Sequence, residues 1–278
     1  MHILVSPSQT IYSTAAILFV LIASVGRGAE PSVVQPLANA HAHNDYMHER
    51  PLLDALDHGF TSVEADIFLV DGKLLVAHEK RQLNPQRTLE TLYLDPLRQR
   101  VRANGGSVYA GGGPFTLLID IKSDGKSTYE ALAEVLAQYE DVFSVVRDGK
   151  LEAKAVTAVI SGNRPLELMA AEKVRFAGVD GRLSDLDSDA PAAYMPLVSD
   201  NWATNFKWRG RGPISDAERE KLSGAVAKAH ARGRRIRFWA TPETVDAWRV
   251  LAEAGVDMIN TDNLAGLEKF LRDQTASK

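Results

Sequence analysis

The chain has 278 residues, 45% hydrophobic and 24% charged, with 32 Lys and Arg against 36 Asp and Glu, which is enough apolar material to bury a full core. The slight acidic excess excludes the basic footprint of a nucleic-acid binder. The absence of cysteine excludes disulfides and thiolate metal sites, so any metal must be held by oxygen and imidazole.

In chain order the first element is an apolar run, IYSTAAILFVLIASVG, followed by RGAEPS with small residues where a peptidase can cut. Residues 1–29 are therefore read as a secretory signal, which predicts an exported protein, periplasmic or secreted. A membrane anchor is the rival reading, since no Lys or Arg precedes the run. The run is short for a span and carries Ser and Thr.

Beyond it, short apolar runs alternate with helical patterns. The strand candidates are PLANAHAH, TSVEADIF, FTLLIDIK, AVTAVIS, VRFAGVD, MPLVSDN, RIRFWAT and DMINTDN, each bounded by turn residues. The helical patterns are RPLLDALDHG, TLETLYLDPLRQRVRANGG, STYEALAEVLAQYEDV, RPLELMAAEK, SDAEREKLSGAVAKAHARG, TPETVDAWRVLAEAG and LAGLEKFLRDQ. Several open on Ser or Thr with an acid three residues on, and several close on Gly, as caps require. Such alternation predicts a parallel sheet with helices outside. Eight strands in about 250 residues fit a closed (β/α)8 barrel, with a doubly wound open sheet as the alternative. No G-x-G-x-x-G follows the first strand, and GGSVYAGGGP has no helix behind it, so neither is a phosphate cradle of the usual kind.

Chemistry-bearing residues gather at the strand ends. In NAHAHNDY, His41 and His43 are two apart and share one side of a strand. In TSVEADIF, Ser62, Glu64 and Asp66 do the same, and Asp120 with Lys122 repeats the pattern in LLIDIK. Like charges so close repel, and burying each costs several kcal/mol unless a cation compensates. Three carboxylates meeting at one rim would make a hard-oxygen site suited to Mg²⁺ or Ca²⁺, with Lys122 placed to meet a phosphate oxygen. FLVDGKLLVAHE reads as a small β-hairpin turning at Asp71-Gly72 that returns His78 toward the strand end. A lone hairpin His more often fills space. Paired with His43 across a metal, it becomes half of a general acid and base couple.

The string HAHNDY, EAD, DGKLLVAHE and LLIDIK resembles the glycerophosphodiester phosphodiesterases and the related phosphatidylinositol phospholipase C-like phosphodiesterases. The match is dense over residues 39–122. The resemblance implies a TIM barrel with a small hairpin insertion after strand 2, and a metal-dependent phosphoric diester hydrolase acting on a glycerophosphodiester-like or phosphoinositide-like substrate. It implies His43 and His78 as the catalytic pair and Glu64, Asp66 and Asp120 as ligands of Mg²⁺ or Ca²⁺. A small-molecule or lipid diester is the expected partner, with peripheral membrane contact as a further expectation.

Substrate contacts are expected from His41, which could also orient a metal ligand or His43 from one layer deeper, and from Lys122, Arg237, Trp239 and Trp202. Arg237 is expected to pair with Asp262 or Asp120, the two Trp to stack on an apolar or sugar-like group, and Lys207, Arg209 and Arg211 to form a basic loop. Two other readings stand beside this one. His41 and His43 with Asp262 would suit the Zn²⁺ site of an amidohydrolase, which needs further histidines from middle strands, and the only later one is His230, in a helical pattern. The barrel mouth could also bind a phosphorylated ligand without turning it over.

Overall fold

Runs of Val, Ile, Leu and Ala with few charges are what a strand covered on both faces requires, and eight of them pair in parallel here. They are β1 (Leu37–Ala42), β2 (Phe60–Val70), β3 (Phe115–Ile121), β4 (Val156–Gly162), β5 (Ala177–Gly181), β6 (Leu197–Asn201), β7 (Arg235–Trp239) and β8 (Ile259–Thr261). The computed structural model describes residues 34–276 together with His2. The signal or anchor reading of residues 1–29 falls outside them, His2 apart. Among the described residues no helix is long and apolar enough to cross a membrane.

A continuous ladder runs from β7 through β6, β5, β4, β3, β2 and β1 to β8. One parallel bridge, Arg237 with Met258, brings β7 back against β8. The architecture is thus the expected (β/α)8 TIM barrel, nearly closed, and not an open doubly wound sheet.

Each predicted helical pattern forms a helix: α1 (Leu53–Asp57), α2 (Asp95–Ala103), α3 (Gly125–Ala137), α4 (Leu166–Ala171), α6 (Asp216–Ala231), α7 (Val245–Glu253) and α8 (Leu264–Ala276), with a short unpredicted α5 (Trp202–Asn205) after β6. Ser215 and Thr244 cap α6 and α7 through their side chains, which satisfies backbone donors that have no partner in the first turn. The α3 helix begins earlier than the Ser127 start read from sequence. Asp124 is its cap, accepting from the Ser127 N–H at 3.0 Å.

The hairpin after β2 forms as expected. Lys73–Val76 folds back antiparallel, setting Val76 opposite Ile67. Its turn has Asp71 at φ 49° and Gly72 at φ 76°, both left-handed, as a two-residue type I′ turn requires. A second Asp-Gly turn, Asp148-Gly149 at φ 47° and 78°, joins two strands of a three-stranded sheet, Val145–Arg147, Lys150–Glu152 and Val174–Arg175. That sheet was not expected.

The barrel interior is built in layers set by the two-residue period of the strands. Low in the barrel, Arg235 donates to Thr116 Oγ1 at 2.7 Å. Above it Leu118, Val159, Leu197 and Met258 form a small apolar cluster. One period further, Asp120, Ser161 and Ser199 take the same face as Leu118, Val159 and Leu197. The interior therefore turns polar at its C-terminal rim.

Candidate active site

The ends of β1 to β5 and of β7, with the hairpin, converge on a cleft of about 180 Å³ lined by His43, Asn44, Glu64, His78, Asp120, Lys122, Ser161, Arg182, Arg237 and Trp239. Glu64 reaches it from β2, with Asp66 buried beside it, Asp120 and Lys122 from β3, and His78 from the hairpin. Ligand atoms of Glu64, Asp66 and Asp120 all lie within 4.8 Å of one another, a set that could hold a metal.

The charge of that cluster is incompletely matched. Arg237 pairs with Glu64 at 2.9 Å, and Lys122 serves both Asp66 at 3.1 Å and Asp120 at 2.9 Å. Three carboxylates thus face two cations. Burial would raise the Glu64 pKa, yet the Arg237 guanidinium holds it well below the usual carboxylate range. Burial and the Glu64 charge push Asp66 up to about 6 against the pull of Lys122. Asp66 Oδ1 is buried with no hydrogen-bond partner. An orphaned carboxylate oxygen beside unmatched negative charge is the environment in which a hard divalent cation fits.

His41 does not contact substrate space. It is fully buried, its Nδ1 lies 2.7 Å from Ser62 Oγ, and its Nε2 lies 2.6 Å from Arg237 NH1. Burial and the Arg237 charge push its pKa down to about 3, so the ring is neutral. Arginine can only donate, so Nε2 is the acceptor and Nδ1–H gives to Ser62. His41 therefore braces Arg237 and, through it, Glu64. The partner of Arg237 is Glu64, and not Asp262 or Asp120 as the sequence suggested. With His41 Nε2 engaged in this way, the Zn²⁺ pair of the amidohydrolase reading is not assembled.

His43 is held by Asp262, whose Oδ1 lies 2.8 Å from Nδ1, with the Asn44 amide alongside. Burial lowers its pKa, but the bond to Asp262 and the Glu64 charge outweigh that and raise it above the ordinary value. His78 Nδ1 lies 3.3 Å from Asp66 Oδ2 and 3.0 Å from the Tyr46 hydroxyl. That hydroxyl also lies 2.6 Å from Asp66 Oδ2 and 2.7 Å from Asn44 Oδ1. A phenol has one proton to give, and the carboxylate is the strongest acceptor of the three. The phenol oxygen then takes the His78 Nδ1–H, which leaves the Nε2 lone pair free.

Trp202 is not part of the cleft. It is 1% exposed, stacks on Phe206 at 4.1 Å, meets Phe238 edge-on at 5.7 Å, and donates to the Trp208 carbonyl. It is core, because β6 ends one residue before it and α5 turns it outward from the barrel axis. Arg209 likewise fastens its own loop, donating to the carbonyls of Phe206 and Ala203, and Lys207, Arg209 and Arg211 do not line the cleft. Trp239 does line it, with the guanidinium carbons of Arg182 and Arg237 at 5.0 and 5.9 Å from its ring centroid.

Sequence reasoning missed Tyr46, Arg182, the structural role of Asn44 and that of Gly162. Tyr46 was visible only as the residue after an Asn-Asp pair. Arg182 stands two residues after a strand-end Asp, the same offset as Lys122 from Asp120, and that offset was the available signal. Gly162 has φ 67°, and a Cβ there would overlap Asp120 Oδ1, so only glycine leaves room for the carboxylate.

Residues 32–110 match the AIM6-like phosphodiesterase domain, and residues 235–265 match the Glycerophosphoryl diester phosphodiesterase family. A protein of Eremothecium gossypii, Altered inheritance of mitochondria protein 6, is 30% identical over 273 residues, spanning 85% of this chain and 70% of that protein. The chain belongs to the AIM6 family. The AIM6 homologue of Arthroderma benhamiae is 28% identical over 258 residues, covering 81% of each chain, and the Saccharomyces cerevisiae protein is 27% identical over 268 residues, covering 81% of this chain and 68% of that one. The AIM6 family falls within the glycerophosphodiester phosphodiesterase superfamily. The fold is shared with glycerophosphodiester phosphodiesterases of Agrobacterium tumefaciens (TM-score 0.50, 15% identity, 85% of this chain and 100% of that one) and Parabacteroides distasonis (TM-score 0.51, 13% identity, 87% and 99%).

The AIM6 relatives overturn one expectation. They carry a name tied to the inheritance of mitochondria, an organelle of the cell interior. The reading of this chain as an exported protein does not stand.

Proposed function

We propose that the chain is a metal-dependent phosphodiesterase cleaving a glycerophosphodiester-like or phosphoinositide-like substrate. The observation that carries this is the meeting, in one cleft, of three carboxylates with unmatched charge and two imidazoles. Glu64, Asp66 and Asp120 are the residues that would hold a divalent ion such as Mg²⁺ or Ca²⁺. Such an ion, when bound, supplies positive charge for a phosphoryl oxygen and lowers the pKa of a neighbouring hydroxyl.

The protein's own groups do the rest. Lys122 adds fixed positive charge beside the phosphoryl group, where negative charge develops as the diester is attacked. His78 offers Nε2 as the base that takes the proton of the attacking hydroxyl, its ring fixed by Tyr46. His43, whose Nδ1 is held by Asp262, gives an Nε2 proton to the departing alkoxide. Where the substrate has a vicinal hydroxyl, that group is the attacking one and a cyclic phosphate is the first product. A lipid substrate would bring the cleft to a membrane surface, since about 180 Å³ admits a headgroup and not acyl chains.

The test is incubation of a panel of phosphodiesters with Mg²⁺, Ca²⁺ or EDTA, with products read by phosphorus NMR. Cleavage that needs the metal and stops with EDTA is expected. Stability of the whole panel under both metals would overturn the reading.

A further inference from the structure

We propose that Glu243, an exposed side chain in the loop after β7, is a positioning residue: it fixes the exit of β8 and, through it, the ring of His43 for proton transfer. The proposal rests on the phosphodiesterase reading above, with His43 as its acid.

The loop holds Glu243 in one place. β7 ends at Trp239, and Ala240 follows at φ 54°, a left-handed conformation that a residue with a Cβ adopts at a cost and that collects at functional sites. Two residues on, the ring of Pro242 fixes its own φ. Thr244 caps α7 by accepting from the Ala247 N–H, and its hydroxyl donates to the Gly210 carbonyl at 3.2 Å. A Cβ at Gly210 would lie 2.6 Å from Pro242 Cβ and 2.8 Å from Thr244 Oγ1. Glu243 thus stands between two residues against which a neighbouring loop is closely packed.

An acid just before a helix ordinarily serves the N-terminus of that helix. Among the described residues, however, Glu243 makes no bond to the first turn of α7, and both its oxygens bond the exit of β8. Oε2 accepts from the Thr261 hydroxyl at 2.5 Å, and Oε1 accepts from the Asp262 backbone N–H at 3.1 Å. Those two residues are the ones that hold His43. The Thr261 carbonyl accepts from the His43 backbone N–H at 3.0 Å, and Asp262 Oδ1 takes the ring Nδ1–H at 2.8 Å, since a carboxylate can only accept. The Asp262 side chain is 60% exposed, so packing does not orient it, and it can hold an imidazole only as firmly as its own backbone is held. β8 ends one residue before Asp262, and toward β7 it has one bridge in place of a ladder. Glu243 spans that side and fastens two consecutive residues at once.

The test compares two diesters that differ in the leaving group, glycerol in one and 4-nitrophenol in the other. Glycerol departs as an alkoxide that needs a proton, whereas nitrophenolate leaves without help from an acid. Turnover of both is measured with Mg²⁺ or Ca²⁺ for the full chain and for Glu243→Ala, Glu243→Gln and His43→Ala, each checked for an unchanged melting transition. In parallel the ring Nδ1–H proton of His43, assigned by its loss in His43→Ala, is followed by proton NMR with neither metal nor substrate present. Glu243→Ala is expected to lower kcat on the glycerol diester by about 10- to 100-fold, a fraction of what losing the acid itself costs. It should leave kcat on the nitrophenyl diester and KM on both close to wild type, and broaden the Nδ1–H resonance. Glu243→Gln keeps an acceptor for the Asp262 N–H and is expected to restore both. Equal effects on the two diesters, a resonance that stays sharp in Glu243→Ala, or a Glu243→Gln that behaves as Glu243→Ala would overturn the proposal. Equal losses on the two diesters in His43→Ala would instead remove His43 as the acid, and a wild type that turns over neither diester would count against the phosphodiesterase reading. In both of those cases the resonance still decides whether Glu243 fixes the ring.

Discussion

His78 reaches the cleft on a half-exposed ring, yet what it can do is set by the buried phenol of Tyr46 behind it. His43 is set in the same way by Asp262. If the two imidazoles are the base and acid, His43→Ala and His78→Ala should each lower phosphodiester turnover by about 10²- to 10⁴-fold, the usual range for general acid–base catalysis. Losses under tenfold for both, in steady-state assays, would remove the pair from that role. Gly162 offers a test of Asp120 that leaves every charge in place. Its left-handed φ and the overlap of a Cβ with Asp120 Oδ1 mean that Gly162→Ala must displace the carboxylate. The half-saturating Mg²⁺ concentration should then rise by about 10- to 100-fold, as for other changes that misplace a metal ligand. An unchanged Mg²⁺ titration would show that Asp120 is not a ligand.

At the scale of elements, the strands and helices were legible because their periods are local: alternation at two residues, apolar recurrence at three and four, and caps at the ends. The Asp71-Gly72 hairpin was legible because its turn chemistry is compulsory. The identical Asp148-Gly149 signal is masked because it follows a helical pattern directly and its strands are three residues each. In the site, the residues spaced two apart on a strand end were legible, since a strand fixes their common side. Tyr46 and Arg182 were not, because their partners lie 20 residues away or on a different strand. Trp202 misleads because one residue past a strand end is enough to turn a side chain out of the barrel. A Cβ added at Gly72 would meet nothing within 4 Å, so a substitution there acts through backbone conformation alone. Gly72→Val should cost about 1–2 kcal/mol in urea denaturation, the penalty for an L-residue in that region, and lower turnover by loosening the hairpin that carries His78. Unchanged stability would mean that the turn relaxes to another type.

For the molecule as a whole, Asp45 ties the active-site loop to the helical shell and sets part of its response to pH. Its carboxylate accepts from the Leu52 backbone N–H and from the Tyr93 hydroxyl at 2.8 Å, while Oδ1 has no partner. Burial pushes its pKa up to about 7, against those two bonds. Between pH 4 and 7, roughly, the folded chain keeps a proton that the unfolded chain releases, so this group's contribution to stability falls as pH rises through that window and is level above it. The loss approaches about 1.4 kcal/mol for each unit of pH within the window. Urea midpoints at pH 5 and pH 8 should therefore separate more for the wild type than for Asp45→Asn. Equal separations would mean that Asp45 is ionised throughout.

The join between β7 and β8 has a further consequence. Elsewhere around the ring neighbouring strands share a ladder, but here a single bridge stands in its place, helped by the carbonyl of Ile236 and by side-chain bonds from Asp257, Thr241 and Glu243. The staves on either side of that thin joint carry different halves of the chemistry: Arg237 and Trp239 on one, and on the other Asp262, which steadies His43. A slight parting there would widen the mouth and unlatch an imidazole in one motion, so amide exchange should be fastest, among the barrel strands, along β8, and slowed once a ligand fills the opening.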